Sequence, residues 1–345
     1  MNPIPLTGTP IREYKKGEIG KDEFFRDVLP AAMPVVMRGL IDDWPAVAAS
    51  KSSTDFVDYL LMFASAQPVE AAIGPPDIGG RLFYNTALDG LNFRRESLQL
   101  GAVLTKIILA ANQSDPSAIA IQSLRTAESL PGFDRDNRLT WLPDFIKARA
   151  WIGNRITVAA HYDSSENIAC VVAGRRRFTL FHPDQASKLY PGPFELTPAG
   201  PVVSMVNFDS PDLENYPRFP EALDRALVAD IGPGDAIYIP YLWWHHVRSI
   251  DPLNMLVNYW WNPDTATVGR PLDAMQHAML AIKNLDPPHR QAWAALFDHY
   301  VFQRDTKPGM HLPHNRRGIQ GTLSPNDQIK ALSQIADFLL PNQTK

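Results

Sequence analysis

Short runs in which apolar and polar positions alternate dominate the chain from about residue 141 to residue 262. The clearest run covers residues 255–261, where every second residue falls on the same face of a strand. One face carries Met255, Val257, Tyr259 and Trp261, and the other carries Leu256, Asn258 and Trp260. Many short strands of this kind, joined by tight turns, predict a barrel or a sandwich.

Glycine-containing turns separate these strands. Gly232-Pro233-Gly234-Asp235 is a strong turn signal and leads into the strand-like run at residues 236–239. Two further β-favouring runs, residues 168–172 and 177–181, flank Ala173-Gly174, and this arrangement predicts a β-hairpin.

The flanking parts of the chain have a different pattern. The first part mixes helix and strand: Ser53-Thr54-Asp55 is predicted to cap a helix, and residues 81–84 form a predicted strand. After residue 262 the spacing of Leu272, Met279 and Trp293 becomes helical, and a last helix begins at Ser324-Pro325. We therefore predict a strand-rich domain over residues 1–262, with an N-terminal helix–strand elaboration, and a C-terminal helical segment over residues 263–345.

The apolar faces of this C-terminal segment need a partner surface. The residues concerned include Leu272, Met279, Trp293 and Phe297. Either the β domain of the same chain covers them or a second copy does, so a homodimer is one expectation.

Composition excludes several classes of protein. The 345 residues are 45% hydrophobic and 20% charged, which is enough apolar material for a large core, and the net charge of −4 disfavours a nucleic-acid coat. The single cysteine, Cys170, excludes a disulfide framework. No signal-peptide pattern or membrane-spanning apolar run is present, so we expect a soluble cytoplasmic protein.

The candidate chemistry lies in two segments, His161-Tyr162-Asp163 and Trp243-Trp244-His245-His246. Residues two apart on a strand share a face, so His161 and Asp163 can occupy adjacent positions on one metal ion. His245 or His246 would supply the third ligand. Two histidines and one carboxylate around open coordination positions suit a non-haem Fe(II) oxygenase.

The chain resembles the cupin-like JmjC oxygenases, which include the group of factor-inhibiting-HIF-like protein hydroxylases. The resemblance rests on His161-Tyr162-Asp163, on residues 174–181, on residues 232–235 and on Trp243-Trp244-His245, and it covers most of residues 20–262. It implies a double-stranded β-helix, or jelly roll, that is mainly β with flanking helices. It also implies Fe(II), 2-oxoglutarate and O2, with decarboxylation of 2-oxoglutarate to succinate and CO2 coupled to substrate oxidation.

The resemblance implies roles for single residues. The first histidine after the paired tryptophans is the ligand, which selects His245. Arg176 stands where relatives usually have a lysine that binds the far carboxylate of 2-oxoglutarate, and a guanidinium can hold a carboxylate through two hydrogen bonds. Alternation places Phe178 and Leu180 on the same interior face as Arg176.

Further site residues are predicted on the same basis. Asn167 and Asn258 match positions beside the metal or co-substrate, and a structural hydrogen bond to the backbone is the alternative for Asn258. Tyr84 is predicted to donate its hydroxyl to the co-substrate carboxylate. Trp244 and Trp260 are candidates for the wall of the substrate pocket, or else belong to the core.

The function expected from these features is hydroxylation of a protein side chain or a small molecule. Two alternatives stay open: a cupin metalloenzyme that does not use 2-oxoglutarate, and a non-catalytic binding protein that kept the fold. An isolated His-x-Asp pair is common, and the metal interpretation depends on its coincidence with a distant histidine on a second strand.

Overall fold

The structure is a computed structural model that describes residues 8–198, 200–262 and 269–339. The chain falls into two compact units, Met1–Asn262 and Pro263–Lys345. The first unit contains the β-strands of the described residues, which are, in chain order, β1 (Thr9–Pro10), β2 (Arg12–Tyr14), β3 (Val35–Met37), β4 (Val69–Gly74), β5 (Arg81–Leu82), β6 (Arg94–Leu98), β7 (Ala118–Arg125), β8 (Ala148–Gly153), β9 (Thr157–His161), β10 (Glu166–Ala173), β11 (Arg176–Phe181), β12 (Leu227–Ile231), β13 (Ala236–Ile239), β14 (Trp244–Ser249) and β15 (Asn254–Trp261).

Helices flank the strands of the first unit. The α-helices are α1 (Lys21–Glu23), α2 (Leu29–Ala31), α3 (Pro45–Ala49), α4 (Ser53–Leu61), α5 (Leu100–Ala110), α6 (Thr126–Ser129), α7 (Phe133–Asp136) and α8 (Phe219–Leu223). The cap of α4 is Ser52, one residue before the predicted cap, and its hydroxyl accepts a hydrogen bond from Asp55 N at 3.3 Å.

Two mixed sheets make up the β structure of the described residues. The six-stranded sheet has the order β1-β12-β11-β14-β9-β5, and the nine-stranded sheet has the order β2-β3-β13-β10-β15-β8-β7-β4-β6. From β8 to β11 successive strands alternate between the nine-stranded and the six-stranded sheet, which is the winding of a double-stranded β-helix. The predicted jelly-roll class with flanking helices is confirmed, as two facing sheets rather than a closed barrel.

Apolar side chains from both sheets meet in the interior. Phe178 and Leu180 of β11 pack there with Ile237 of β13 and Leu256 of β15, and all four are buried. Val257, from the opposite face of β15, packs instead into the cluster that includes residues of α4 and α5. The alternation in residues 255–261 therefore predicted correctly which positions share a face.

The predicted hairpin around Ala173-Gly174 is wrong. β10 pairs with β13 and β15 in the nine-stranded sheet, whereas β11 pairs with β12 and β14 in the six-stranded sheet. The chain crosses between sheets at Gly174, which has φ +68° and lies so close to Asn254 and to the carbonyl of Leu253 that a Cβ would overlap both. A glycine at such a crossing gives the same local signal as a hairpin glycine.

The second unit is helical over its described residues. Its helices are α9 (Pro271–Ile282), α10 (Pro287–Tyr300) and α11 (Pro325–Leu339). In the part of the chain that the structure covers, no helix combines the length and the apolar character needed to cross a membrane.

Candidate metal centre

Two neighbouring strands bring the candidate histidines together. β9 and β14 are antiparallel, and their register places His161 directly opposite His245. Side chains of a directly opposed cross-strand pair lie on the same face of the sheet. The two imidazole rings are accordingly 4.1 Å apart between centroids.

Asp163 completes the cluster from the segment that follows β9. One ligand atom from each of His161, Asp163 and His245 lies within 4.8 Å of the other two, and His245 Nε2 is 3.6 Å from Asp163 Oδ2. Both histidines are buried and Asp163 is partly buried. Two imidazole nitrogens and one carboxylate oxygen at this separation form a donor set that fits one divalent transition-metal ion.

Hydrogen bonds to main-chain carbonyls orient both rings. His161 Nδ1 lies 2.9 Å from Ala159 O, and His245 Nδ1 lies 3.0 Å from Trp243 O. A carbonyl only accepts, so each Nδ1 donates its proton in this contact, and Nε2 is the ring atom left to bind a metal. Burial, with the neighbouring His161, lowers the pKa of His245 to about 4, so this ring is neutral at pH 7 and able to bind a metal.

Two contacts fix the position of Asp163. Trp260 Nε1 donates a hydrogen bond to Asp163 Oδ2 at 3.1 Å, and Leu242 N donates one to the main-chain carbonyl of Asp163 at 3.0 Å. Leu242 has φ +61°, a conformation that L-residues rarely adopt. The turn before β14 therefore holds the carboxylate segment next to the strand that carries His245.

Arg176 lies in the interior without a counter-ion. Its side chain is only 3% exposed, Nη2 donates to Trp151 O at 3.2 Å, and Nε has no hydrogen-bond partner. Among the described residues no carboxylate oxygen lies within 4.0 Å of its guanidinium. Burial lowers the pKa of Arg176 to about 10, so the group still carries its charge at pH 7. A buried cation of this kind is costly unless an anion binds to it.

The two predicted asparagines contact each other on adjacent strands. Asn258 Nδ2 donates to Asn167 Oδ1 at 3.4 Å, and Asn258 Oδ1 accepts a hydrogen bond from Trp151 Nε1 at 3.0 Å. Both amides are buried. Asn258 is therefore held by side chains, not by the backbone, and Trp151 is a site residue that the sequence did not single out.

The structure gives Tyr84 a different partner from the predicted one. Its hydroxyl donates to Leu196 O at 2.8 Å, and its ring packs beside Phe83, Ala159 and Val203. Donation to a co-substrate carboxylate would require this hydroxyl to leave Leu196, and the role stays a prediction.

The assignment of Trp244 to the pocket wall is wrong. On β14 Trp244 shares its face with His246 and packs outside the interior, with Ala160, Phe181 and Phe219. The ring of His246 stacks on Phe208 at 4.5 Å between centroids. Alternation alone already places Trp244 on the face opposite His245.

Trp243, two residues before His245, is the tryptophan that lines the interior. Trp243 packs there with Phe178 and Leu180. Trp260, the other tryptophan predicted for the pocket wall, does face the site through its hydrogen bond to Asp163.

Comparison with known proteins agrees with this geometry. A family model described as "Cupin-like domain" matches residues 21–267. Lysine-specific demethylase 8 of Xenopus tropicalis is 29% identical over 252 residues, which is 70% of this chain and 51% of that protein.

Two further proteins are similar to this chain over shorter segments. HSPB1-associated protein 1 of Homo sapiens is 33% identical over 149 residues, or 41% of this chain and 30% of that protein. Lysine-specific demethylase JMJ31 of Arabidopsis thaliana is 37% identical over 103 residues, or 30% of this chain and 18% of that protein. The chain thus spans about half the length of its lysine-specific demethylase 8 relative and less of the other two.

Proposed function

This chain belongs to the cupin-like JmjC domain family, and on that premise we propose that it is an Fe(II)- and 2-oxoglutarate-dependent oxygenase. We propose that it hydroxylates a carbon of a protein side chain or of a small molecule. The observation that carries the proposal is the meeting of His161, Asp163 and His245 ligand atoms within 4.8 Å of one another. Three protein ligands leave further coordination positions for a co-substrate and O2.

The residues of this chain would bind the metal ion and orient its ligands. His161, Asp163 and His245 would hold the iron, and Trp260 keeps the carboxylate of Asp163 directed at it. When bound, iron and 2-oxoglutarate would activate O2, the oxidant: one oxygen atom would enter the succinate formed with CO2, and the other would enter the substrate as its hydroxyl. The buried apolar side chains of Phe178, Leu180 and Trp243 line the interior and would limit the access of water to the site.

Arg176 is the proposed partner of the far carboxylate of 2-oxoglutarate. Leu180 pairs with His245 across β11 and β14, and Arg176 lies four residues further along β11, or about 13 Å. An arginine side chain and a five-carbon dicarboxylate would together be long enough to span this separation. The buried, unpaired guanidinium supports this role because the carboxylate would neutralise it.

The relatives support the protein-side-chain part of the proposal. Two of them are named lysine-specific demethylases. Demethylation by hydroxylation of an N-methyl group and hydroxylation of a carbon on another side chain would use the same metal site. The metal chemistry is the same for a peptide and for a small-molecule substrate and does not distinguish between them.

We also propose that the C-terminal helices form a homodimer interface. Leu272 and Met279 of α9 are 40% and 37% exposed, and Trp293 of α10 is 45% exposed. Large apolar side chains exposed along helices mark surfaces that bind other proteins. A second copy of the chain offers a self-complementary surface of the same chemistry.

Calorimetry on the metal-loaded protein tests the proposed activity. Full-length protein loaded with Mn(II) under argon is titrated with 2-oxoglutarate and, separately, with succinate. We expect saturable binding of 2-oxoglutarate at one site, followed by succinate production when Fe(II) and O2 are supplied. Metal binding without 2-oxoglutarate binding would favour a cupin metalloenzyme of another type. Failure to bind metal would favour a non-catalytic binding protein.

A further inference from the structure

A second arginine, Arg149, faces the same interior as Arg176. It lies on β8 directly opposite Asn258 of β15, two residues before Trp151, whose ring nitrogen contacts Asn258. Its guanidinium carbon is 5.8 Å from the centroid of the Trp260 ring, and Trp260 in turn donates to Asp163. Arg149 is only partly buried, so it stands nearer to solvent than Arg176.

A distortion of the neighbouring strand holds Arg149. In the pairing of β7 with β8, Gln122 and Ser123 together oppose the single residue Trp151, which makes a β-bulge. Ser123 has φ +56°, and its hydroxyl accepts a hydrogen bond from Arg149 Nη1 at 2.9 Å. Strained backbone and bulges of this kind are concentrated next to functional sites.

One edge of this guanidinium is free. The hydrogen bonds from Arg149 to Ser123 use Nη1 alone, so within the described residues Nε and Nη2 have no protein partner. No carboxylate oxygen of those residues lies within 4.0 Å of the group. The Nε and Nη2 donors point in parallel, which is the geometry that a carboxylate accepts with its two oxygens.

The charges of the interior indicate what Arg149 binds. On and next to the interior faces of β8–β15, the described residues offer two guanidinium groups, Arg149 and Arg176, and one carboxylate, Asp163. With a divalent ion on Asp163 and neutral imidazoles, dianionic 2-oxoglutarate leaves one positive charge uncompensated. A carboxylate of the substrate would balance that charge, whereas a phosphate, at about −1.5 to −2, would overcompensate it.

We propose that Arg149 determines substrate specificity by binding a carboxylate of the substrate beside the metal centre. The inference rests on the proposed function and adds the substrate class to it. Ser123 holds one side of the guanidinium, and Trp260, which lies beside the guanidinium, also donates a hydrogen bond to Asp163, so one side chain separates Arg149 from the metal-site carboxylate. The carboxylate belongs to an aspartate or glutamate side chain of a peptide or to a small organic acid.

Binding to the full-length protein, loaded with Mn(II) and 2-oxoglutarate under argon, tests the proposal. The probes are peptide pools that differ only by Asp/Glu against Asn/Gln, and small carboxylic acids against their amides. Tryptophan fluorescence reports binding because Trp151 and Trp260 adjoin Arg149. We expect one of the two acidic sets to bind about 10-fold or more tightly than its amides. The set that does so identifies the source of the carboxylate.

Variants decide whether Arg149 carries that preference. Arg149→Met should reduce the ratio of acid to amide binding to near one, and Arg149→Lys should retain part of it. Arg177→Met, at a partly exposed position on the outer face of β11, is the control and should bind like the wild type. No acid preference in the wild type, or an unchanged preference in Arg149→Met, would overturn the proposal.

The same calorimetric titration separates this inference from the proposed function. If the wild type does not bind 2-oxoglutarate, the oxygenase proposal fails. If Arg149→Met loses 2-oxoglutarate binding while Arg176→Met keeps it, the substrate-specificity proposal is overturned, because Arg149 would then bind the co-substrate. Unfolding curves of each variant in urea establish that the compared proteins are folded.

Discussion

Trp260 Nε1 donates a hydrogen bond to Asp163 Oδ2 at 3.1 Å and so ties the metal-site carboxylate to β15 in the opposite sheet. His161 and His245, by contrast, both lie in the six-stranded sheet. The orientation of the carboxylate therefore depends on how the two sheets face each other.

Removal of the Trp260 indole donor tests this dependence. Trp260→Phe keeps a ring in place but removes the N–H, so Asp163 loses its orienting partner. We expect Mn(II) affinity to fall about 10- to 100-fold, the range for a lost contact that orients a metal ligand. Trp244→Phe, on the outer face of β14, should leave the affinity unchanged. Equal metal binding by both variants in a calorimetric titration would contradict this role.

Asp163 itself is expected to be essential. Asp163→Ala removes the one carboxylate among the three ligands and should abolish succinate production from 2-oxoglutarate, with metal affinity reduced by about 100-fold or more. The exposed Asp224→Ala serves as the control for loss of a surface carboxylate. Succinate formation at the wild-type rate by Asp163→Ala would show that the ligand set is wrong.

Arg176→Met should raise the concentration of 2-oxoglutarate needed for half-maximal succinate production. Loss of a charge-assisted pair costs about 1.5–3 kcal/mol, which corresponds to about 10- to 150-fold. Arg177→Met changes the adjacent outward residue, which pairs with Asp230 at the surface, and provides the control. An unchanged 2-oxoglutarate dependence of Arg176→Met would remove this residue from the co-substrate site.

The close packing around Gly174 predicts that alanine substitution costs more stability there than at Gly79, another glycine with positive φ. A Cβ at Gly174 would overlap Asn254 and the Leu253 carbonyl, whereas a Cβ at Gly79 meets nothing within 4 Å. We expect Gly79→Ala to cost about 1 kcal/mol of unfolding free energy from backbone strain alone, and Gly174→Ala about 3 kcal/mol or more. Urea unfolding measures both, and equal losses would contradict the overlap.

If the proposed homodimer forms, charged substitutions in its interface should lower the molecular mass of the protein in solution. The full-length chain should elute as a dimer in light-scattering chromatography. Leu272→Lys with Met279→Lys should shift it to the monomer, because lysine at a buried interface is strongly unfavourable. His277→Lys, on the opposite face of α9, should leave the dimer intact. A monomeric wild type at tens of micromolar would refute the interface.

The sequence by itself determined the strand faces and the ligand types. Alternation with a period of two placed Arg176, Phe178 and Leu180 on one interior face, because successive side chains of a strand point to opposite sides. The same rule would have excluded Trp244 from the pocket wall once His245 was chosen. These are local properties, and they follow from backbone geometry alone.

The tertiary structure alone decided which strands are neighbours. The sequence around Gly174 predicts a hairpin, yet the strands on either side of Gly174 belong to different sheets. The sequence of a turn specifies the conformation of a few residues and does not specify which strands pair. The opposition of His161 and His245, the hydrogen bond from Trp260 and the free edge of Arg149 all depend on pairings between distant segments. Such pairings are set by the packing of whole faces, and no local pattern contains them.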